Sequence, residues 1–140
     1  MLLTAAGMWG AAKLQSPIFI EPALRVGLLL LFNLTALVFG VSGIIAFRRA
    51  RTTIDPIQID RASRVVTGGI YCITRNPMYV GLTALLTMWA VQLAAPLALL
   101  GPVFFVLFTH HLQILPEERL LSAKFGKEYD EYRQRVRRWL

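Results

Sequence analysis

The chain is poor in charge and in metal-binding side chains. Of its 140 residues only 16% are Asp, Glu, Lys or Arg, against roughly a quarter in soluble domains. The deficit is concentrated. Residues 78–115 contain no Asp, Glu, Lys or Arg, and residues 24–47 contain a single charge, Arg25, at their start. A lone cysteine, Cys72, excludes an intramolecular disulfide. No activating base stands beside it in sequence, so it reads as a small semi-buried residue rather than a nucleophile. The only histidines, His110 and His111, are adjacent, and neighbours on a helix point about 100° apart. No metal site is expected. There is no low-complexity tract and no internal repeat.

What is present is apolar, at 56% of residues, and gathered into runs. A bilayer-spanning helix needs about 20 predominantly apolar residues, so the second run is long enough for two crossings. The charged remainder is too short to wrap both runs as a soluble core. The pattern predicts a first short helix over about 2–14, and residues 1–12 lack the basic flank of a cleaved signal peptide. A longer helix over about 22–49 follows, with Gly40 and Gly43 offering a small-residue face for close helix contact. Asn76-Pro77 opens a third helix: Asn is a favoured N-cap and Pro is suited to the first helical position. Ala95-Pro96 turns the chain into a fourth helix ending near Leu115. Pro116, Glu117 and Glu118 then start a last element, in which Leu121, Phe125, Tyr129, Tyr132 and Val136 form one face of an amphipathic helix. Gly126 is its expected break. The expected fold is a single-domain, all-α integral membrane protein of about four transmembrane helices, the first one short, plus a cytoplasmic amphipathic C-terminal helix.

The net charge of +7 has a distribution that explains it. Arg48, Arg49, Arg51, Arg61, Arg64 and Arg75 lie between the runs. Arg119, Lys124, Lys127, Arg133, Arg135, Arg137 and Arg138 follow the second. Only Lys13 and Arg25 lie elsewhere. This is the asymmetry of the positive-inside rule, and no nucleic-acid partner is needed to account for it. Four crossings would put both termini on the cytoplasmic side, in a bacterial inner membrane.

The short hairpin also predicts which charged groups meet. Antiparallel helices of similar length return to the same depth, which brings Arg75 and Tyr79 near Glu117 and Glu118. Ionisable groups at a membrane edge are costly unless they face water or serve a function. Arg75-Asn76-Pro77-Met78-Tyr79, a hydrophobic hairpin and Glu117-Glu118 resemble the two-part signature of the isoprenylcysteine carboxyl methyltransferase family, which shares features with phospholipid N-methyltransferases. The resemblance extends to Thr53–Pro56, Gly68-Gly69-Ile70-Tyr71, Phe125-Gly126-Lys127-Glu128-Tyr129 and Arg137-Arg138-Trp139-Leu140, and so covers residues 52–140. Asn76 stands where many eukaryotic members have His, as in bacterial-type relatives.

The resemblance implies an integral-membrane methyltransferase that uses S-adenosyl-L-methionine in a cytoplasmic pocket and takes a lipophilic small molecule or lipid from the bilayer. It points to Arg75, Tyr79 and Glu118 as catalytic residues. It points to Tyr71, Asn76, Pro77, Tyr79, Glu117, Glu118, Tyr129 and Tyr132 as cofactor-binding residues. Carboxylates can accept hydrogen bonds from the cofactor's ammonium or ribose, a helix N-terminus can hold its carboxylate, and tyrosines can pack on adenine or near the sulfonium. A small multidrug-type transporter and a non-enzymatic membrane scaffold are the alternatives. The first usually needs an intramembrane carboxylate, which residues 78–115 do not supply. The second leaves the converging Arg, Tyr and Glu clusters unexplained.

Overall fold

The computed structural model describes residues 1–50 and 65–140. The Thr53–Pro56 part of the connector lies outside the described residues. All regular elements among the described residues are helical: α1 (Leu2–Ala12), α2 (Pro22–Ala50), α3 (Pro77–Leu93), α4 (Leu100–Thr109), α5 (Leu115–Phe125) and α6 (Lys127–Arg135). Short 3-10 turns, Gly69–Cys72 and Pro96–Leu99, lead into α3 and α4.

Local chemistry sets the helix ends. Glu21 accepts a hydrogen bond from the Leu24 N–H at 2.8 Å, satisfying one of the donors left over at the start of α2. Arg48 and Arg49 close α2, where positive charge suits the helix dipole. At the end of α3, Ala94 adopts φ +50°, and its N–H bonds back to the Val91 carbonyl. Gly126, at φ +51°, ends α5 and starts α6, as its lack of a Cβ permits.

The fourth helix does not stop at Leu115 as the sequence suggests. It continues as one rod over Pro96–Phe125, through a π-helical turn at His110–Ile114. The reason is Pro116. Its ring would clash with the carbonyl four residues back, and it has no N–H to donate. The widened turn, in which the Leu115 N–H reaches back to the His110 carbonyl, accommodates that ring without ending the helix.

Helices α2 and α3 pack closely through small residues. A Cβ added to Gly81 would sit 3.0 Å from the Gly40 nitrogen and 3.1 Å from the Ala36 carbonyl oxygen. One added to Gly43 would meet Met78 at 2.9 Å. The small-residue face expected at Gly40 and Gly43 is therefore in use. Arg25 donates to the Gln92 carbonyl at 2.7 Å, so the start of α2 lies beside the end of α3. Helix α1 packs at that same end: Met8 lies against Gly101, and the Trp89 indole donates to the Ala5 carbonyl at 3.3 Å.

The outward faces are apolar. Leu30, Leu34 and Leu37 on α2 and Val103, Phe104 and Leu107 on α4 are all more than 50% exposed. Faces of this kind mark membrane or partner contact. Two helices, Pro22–Ala50 and Pro96–Phe125, are long and apolar enough to cross a membrane. Helix α3, with 17 residues, is at the short limit for a crossing. Helix α1, with 11 residues, extends about 16 Å, roughly half the hydrocarbon thickness. The first of the about four expected helices is thus short, as its sequence suggests.

Candidate active site

The charged end of the helices is organised around Glu118. This residue sits one turn into α5 on the continuing rod and is only 6% exposed. Arg75, just before α3, reaches Glu118 Oε1 at 2.8 Å. Arg138 holds it from the other side through two parallel bonds, Nε to Oε1 at 2.9 Å and Nη2 to Oε2 at 2.8 Å. Paired bonds of this kind fix direction as well as distance. Desolvation raises the Glu118 carboxyl, but the Arg138 hydrogen bonds and the Arg75 and Arg138 charges outweigh it, leaving its pKa below the usual carboxylate range.

The C-terminal residues come back to α3 to make this arrangement. The Arg75 N–H donates to the Arg137 carbonyl at 2.9 Å. The Arg138 carbonyl accepts from the Thr74 hydroxyl at 3.1 Å and from Asn76 Nδ2 at 3.0 Å. Asn76 occupies the N-cap position, but its side chain makes no capping bond; it is spent on the C-terminal segment. Pro77 follows as the first helical residue and is buried. The N–H groups of Met78 and Tyr79 therefore have neither an intrahelical acceptor nor a side-chain cap.

Tyr71, Tyr129 and Tyr132 are brought together as a buried cluster, each at most 6% exposed. Phe47 meets Tyr71 edge-on at 5.4 Å between ring centres. The Tyr132 hydroxyl donates to the Tyr71 carbonyl at 2.7 Å, which fastens α6 to the 3-10 turn before α3. Burial pushes Tyr71 and Tyr132 above the ordinary phenol range. It pushes Tyr129 up to about 12, with the Glu118 charge adding to the effect and Arg75 opposing it. Tyr79, half-buried on α3, is near enough to act on Tyr71 and also packs against the apolar core that includes Leu86 and Phe105. Cys72 is exposed and donates to the Thr67 carbonyl at 3.1 Å.

Glu117 differs sharply from its neighbour. It makes no ion pair or hydrogen bond among the described residues and is partly exposed. It lies beyond the apolar run that ends at Leu115. Burial, with the adjacent Glu118 charge, pushes it up to about 7. Its charge acts on both Tyr71 and Tyr79, which places it toward the start of α3.

Sequence comparison gives the family. A family model described as phospholipid methyltransferase matches residues 23–128. The chain belongs to the phospholipid methyltransferase family. It is 46% identical over 63 residues to an uncharacterized protein of Haemophilus influenzae, a match covering 45% of this chain and all of that protein. It is 31% identical over 109 residues to protein-S-isoprenylcysteine O-methyltransferase B of Arabidopsis thaliana, covering 75% of this chain and 55% of the plant protein. The chain thus spans about half the length of that plant relative. No solved structure matches.

The family's membrane methyltransferases fit the apolar helices described above. Methyltransferases generally draw the methyl group from S-adenosylmethionine, and two features of the charged end could hold parts of it. The uncapped α3 N-terminus suits its carboxylate. Glu117, whose oxygens have no partner among the described residues, suits its ammonium or ribose. Sequence reasoning brought Arg75, Tyr79 and Glu118 to one end but missed Arg138 and Thr74. Arg138 has no site role in that reading: it stands only in the C-terminal motif Arg137-Arg138-Trp139-Leu140 and in the excess of positive charge. Thr74, fully buried, carries no sequence signal beyond its place beside Arg75.

Proposed function

We propose that this protein is an S-adenosylmethionine-dependent methyltransferase of the membrane, acting on a lipophilic acceptor at the charged end of its helices. The observation that carries this reading is the 2.8 Å contact between Arg75 and Glu118. It joins the two halves of the signature, which are 43 positions apart in the chain, in a member of a methyltransferase family.

The roles follow from which groups are already occupied. Both Glu118 oxygens are taken by guanidinium groups, so Glu118 holds Arg75 and the C-terminal segment in place. Glu117 then accepts from the cofactor's ammonium, and the α3 N-terminus after Asn76 and Pro77 receives its carboxylate. Tyr79 borders the reacting groups. Tyr71, Tyr129 and Tyr132 form the floor beneath them. Transfer of a methyl group depends chiefly on holding nucleophile and sulfonium in line, and a rigid set of ion pairs serves that need. The basic residues orient this end, with α5 and α6, toward the cytoplasm of a bacterial inner membrane. Acceptors reach it from the bilayer.

The test is a labelled-methyl assay on native lipid extract with the product identified by mass spectrometry. The expected result is label in one lipophilic product. Absence of label in any product, with folded protein and intact S-adenosylmethionine, would overturn the proposal.

A further inference from the structure

The π-turn changes which residue shares a face with Glu118. On an uninterrupted α-helix, residues eight apart point about 80° away from one another. The π-turn takes up one extra residue, which brings His110 to within roughly 20° of the Glu118 direction. The buried stripe records the same shift. Phe105, Thr109, Ile114 and Glu118 are all buried, and the step across the π-turn is one residue longer than those on either side.

His110 consequently stands on the membrane side of the Arg75–Glu118–Arg138 cluster. Among the described residues, the charged or titratable groups whose charge acts on it are Arg138 from the C-terminal segment, Glu118 from α5 and His111 beside it. The two imidazole rings meet at right angles, 4.9 Å between centres, with His111 on the exposed side. The His110 Nδ1 is buried and has no hydrogen-bond partner among the described residues. Thr109 is no competitor, because its hydroxyl donates to the Phe105 carbonyl at 2.7 Å. Pro116 explains why the turn is widened. It does not explain an imidazole on that turn, since any side chain at position 110 would relieve the ring clash equally well.

We infer that His110 is the proton acceptor for the methyl acceptor, which is a lipophilic thiol or amine rather than a carboxylate. The inference rests on the methyltransferase reading and specifies its acceptor. The attacking sulfur or nitrogen forms the new bond to the methyl group with its own electron pair. The bond between that methyl and the cofactor's sulfur breaks, leaving its pair on sulfur. The hydrogen on the attacking atom passes to the imidazole as a proton, and its bonding pair stays with the attacking atom. A carboxylate arrives without that proton and needs no base.

The experiment uses the intact protein in lipid nanodiscs with isotope-labelled histidine. Dodecanethiol, dodecylamine and dodecanoate are titrated without cofactor, and the imidazole resonances are followed by NMR, with His110 assigned through H110Q. The thiol or the amine should shift His110, whichever does so naming the acceptor class, and dodecanoate should not. With S-adenosylmethionine added, H110Q should lower kcat for that acceptor about 100-fold, remove the acid limb of its pH–rate profile and leave KM within threefold. H111Q should change neither. A His110 resonance shifted only by dodecanoate or by none of the probes, or an H110Q profile superimposable on wild type, overturns the inference. No methyl transfer by wild type to any acceptor overturns the methyltransferase reading instead, and the cofactor-free titration still decides the role of His110.

Discussion

The two ends of the α3–α4 hairpin are fastened by opposite means. At the turn end, Met8, Leu86, Ala90, Ala95 and Ala98 form a dry apolar cluster, built of small residues that let α1, α3 and α4 approach closely. At the other end the contacts are charged: Glu118 between two guanidiniums, and Thr74 and Asn76 tied to the C-terminal backbone. Burying ions costs several kcal/mol each, and a buried ion pair is often no better for stability than an apolar replacement. The apolar end therefore holds the helices together. The charged end gives up that advantage for fixed directions, which is what the proposed cofactor site requires.

The contrast predicts a graded set of responses. Removing the shared carboxylate should have the largest effect. Glu118→Ala leaves Arg75 and Arg138 without a counter-charge and should cost about 4 kcal/mol, measured by chemical unfolding in detergent. A loss under about 1 kcal/mol would mean the charged end is not organised around Glu118. The part of this contribution that depends on pH has a definite sign. Glu118 is depressed in the folded protein, so its stabilisation is present above the ordinary carboxylate range and is lost as pH falls through its folded value.

Leu86→Ala, at a position 2% exposed, tests the other end. It should cost about 3 kcal/mol, independent of pH between 4 and 8. A pH-dependent loss would break the division between the two ends. Tyr132→Phe comes next. It removes the donor to the buried Tyr71 carbonyl and should cost about 1.5 kcal/mol, with faster proteolysis of the C-terminal residues as an independent readout.

Glu117→Gln should have the smallest effect on stability, and an opposite sign. Glu117 is raised to about 7 from an ordinary value of 4.5, so between those values the folded protein keeps a proton that the unfolded chain has lost. Wild-type stability therefore falls as pH rises through that window. The glutamine variant escapes this. It should match wild type near pH 4 and melt a few degrees higher at pH 8, by about 1 kcal/mol once solvent screening at a partly exposed group is allowed for. Equal melting at pH 8 would show that Glu117 is not held in a costly position.

Much of this was legible in the residues. Uncharged runs give the helices, and Gly40 and Gly43 give the α2–α3 contact. Pro77 gives the start of α3, and Gly126 the break between α5 and α6. Hairpin geometry brings Arg75 to Glu118. Three features were not legible, each for a physical reason. The π-turn was missed because counting by an α-helical period assumes there is none, and Pro116 was taken as a helix start rather than a bulge. Arg138 was missed because its partner is a long-range contact, and a charge destined for an ion pair looks the same in sequence as one facing water. The side-chain role of Asn76 was missed because an Asn before Pro has an obvious local use, and a carbonyl from the far end of the chain claimed it first.

The central proposal is that the charged end binds S-adenosylmethionine, with Glu117 as the carboxylate that has no partner among the described residues and Glu118 as the fastened one. The direct measurement is calorimetric titration of S-adenosylmethionine into the wild-type protein and Glu117→Gln in lipid nanodiscs. Loss of one charge-assisted hydrogen bond, worth about 1.5–3 kcal/mol, predicts saturable binding by wild type and affinity weakened at least about tenfold in the variant, which is no less stable than wild type. No binding by folded wild type, or equal affinity in the two, would contradict the account.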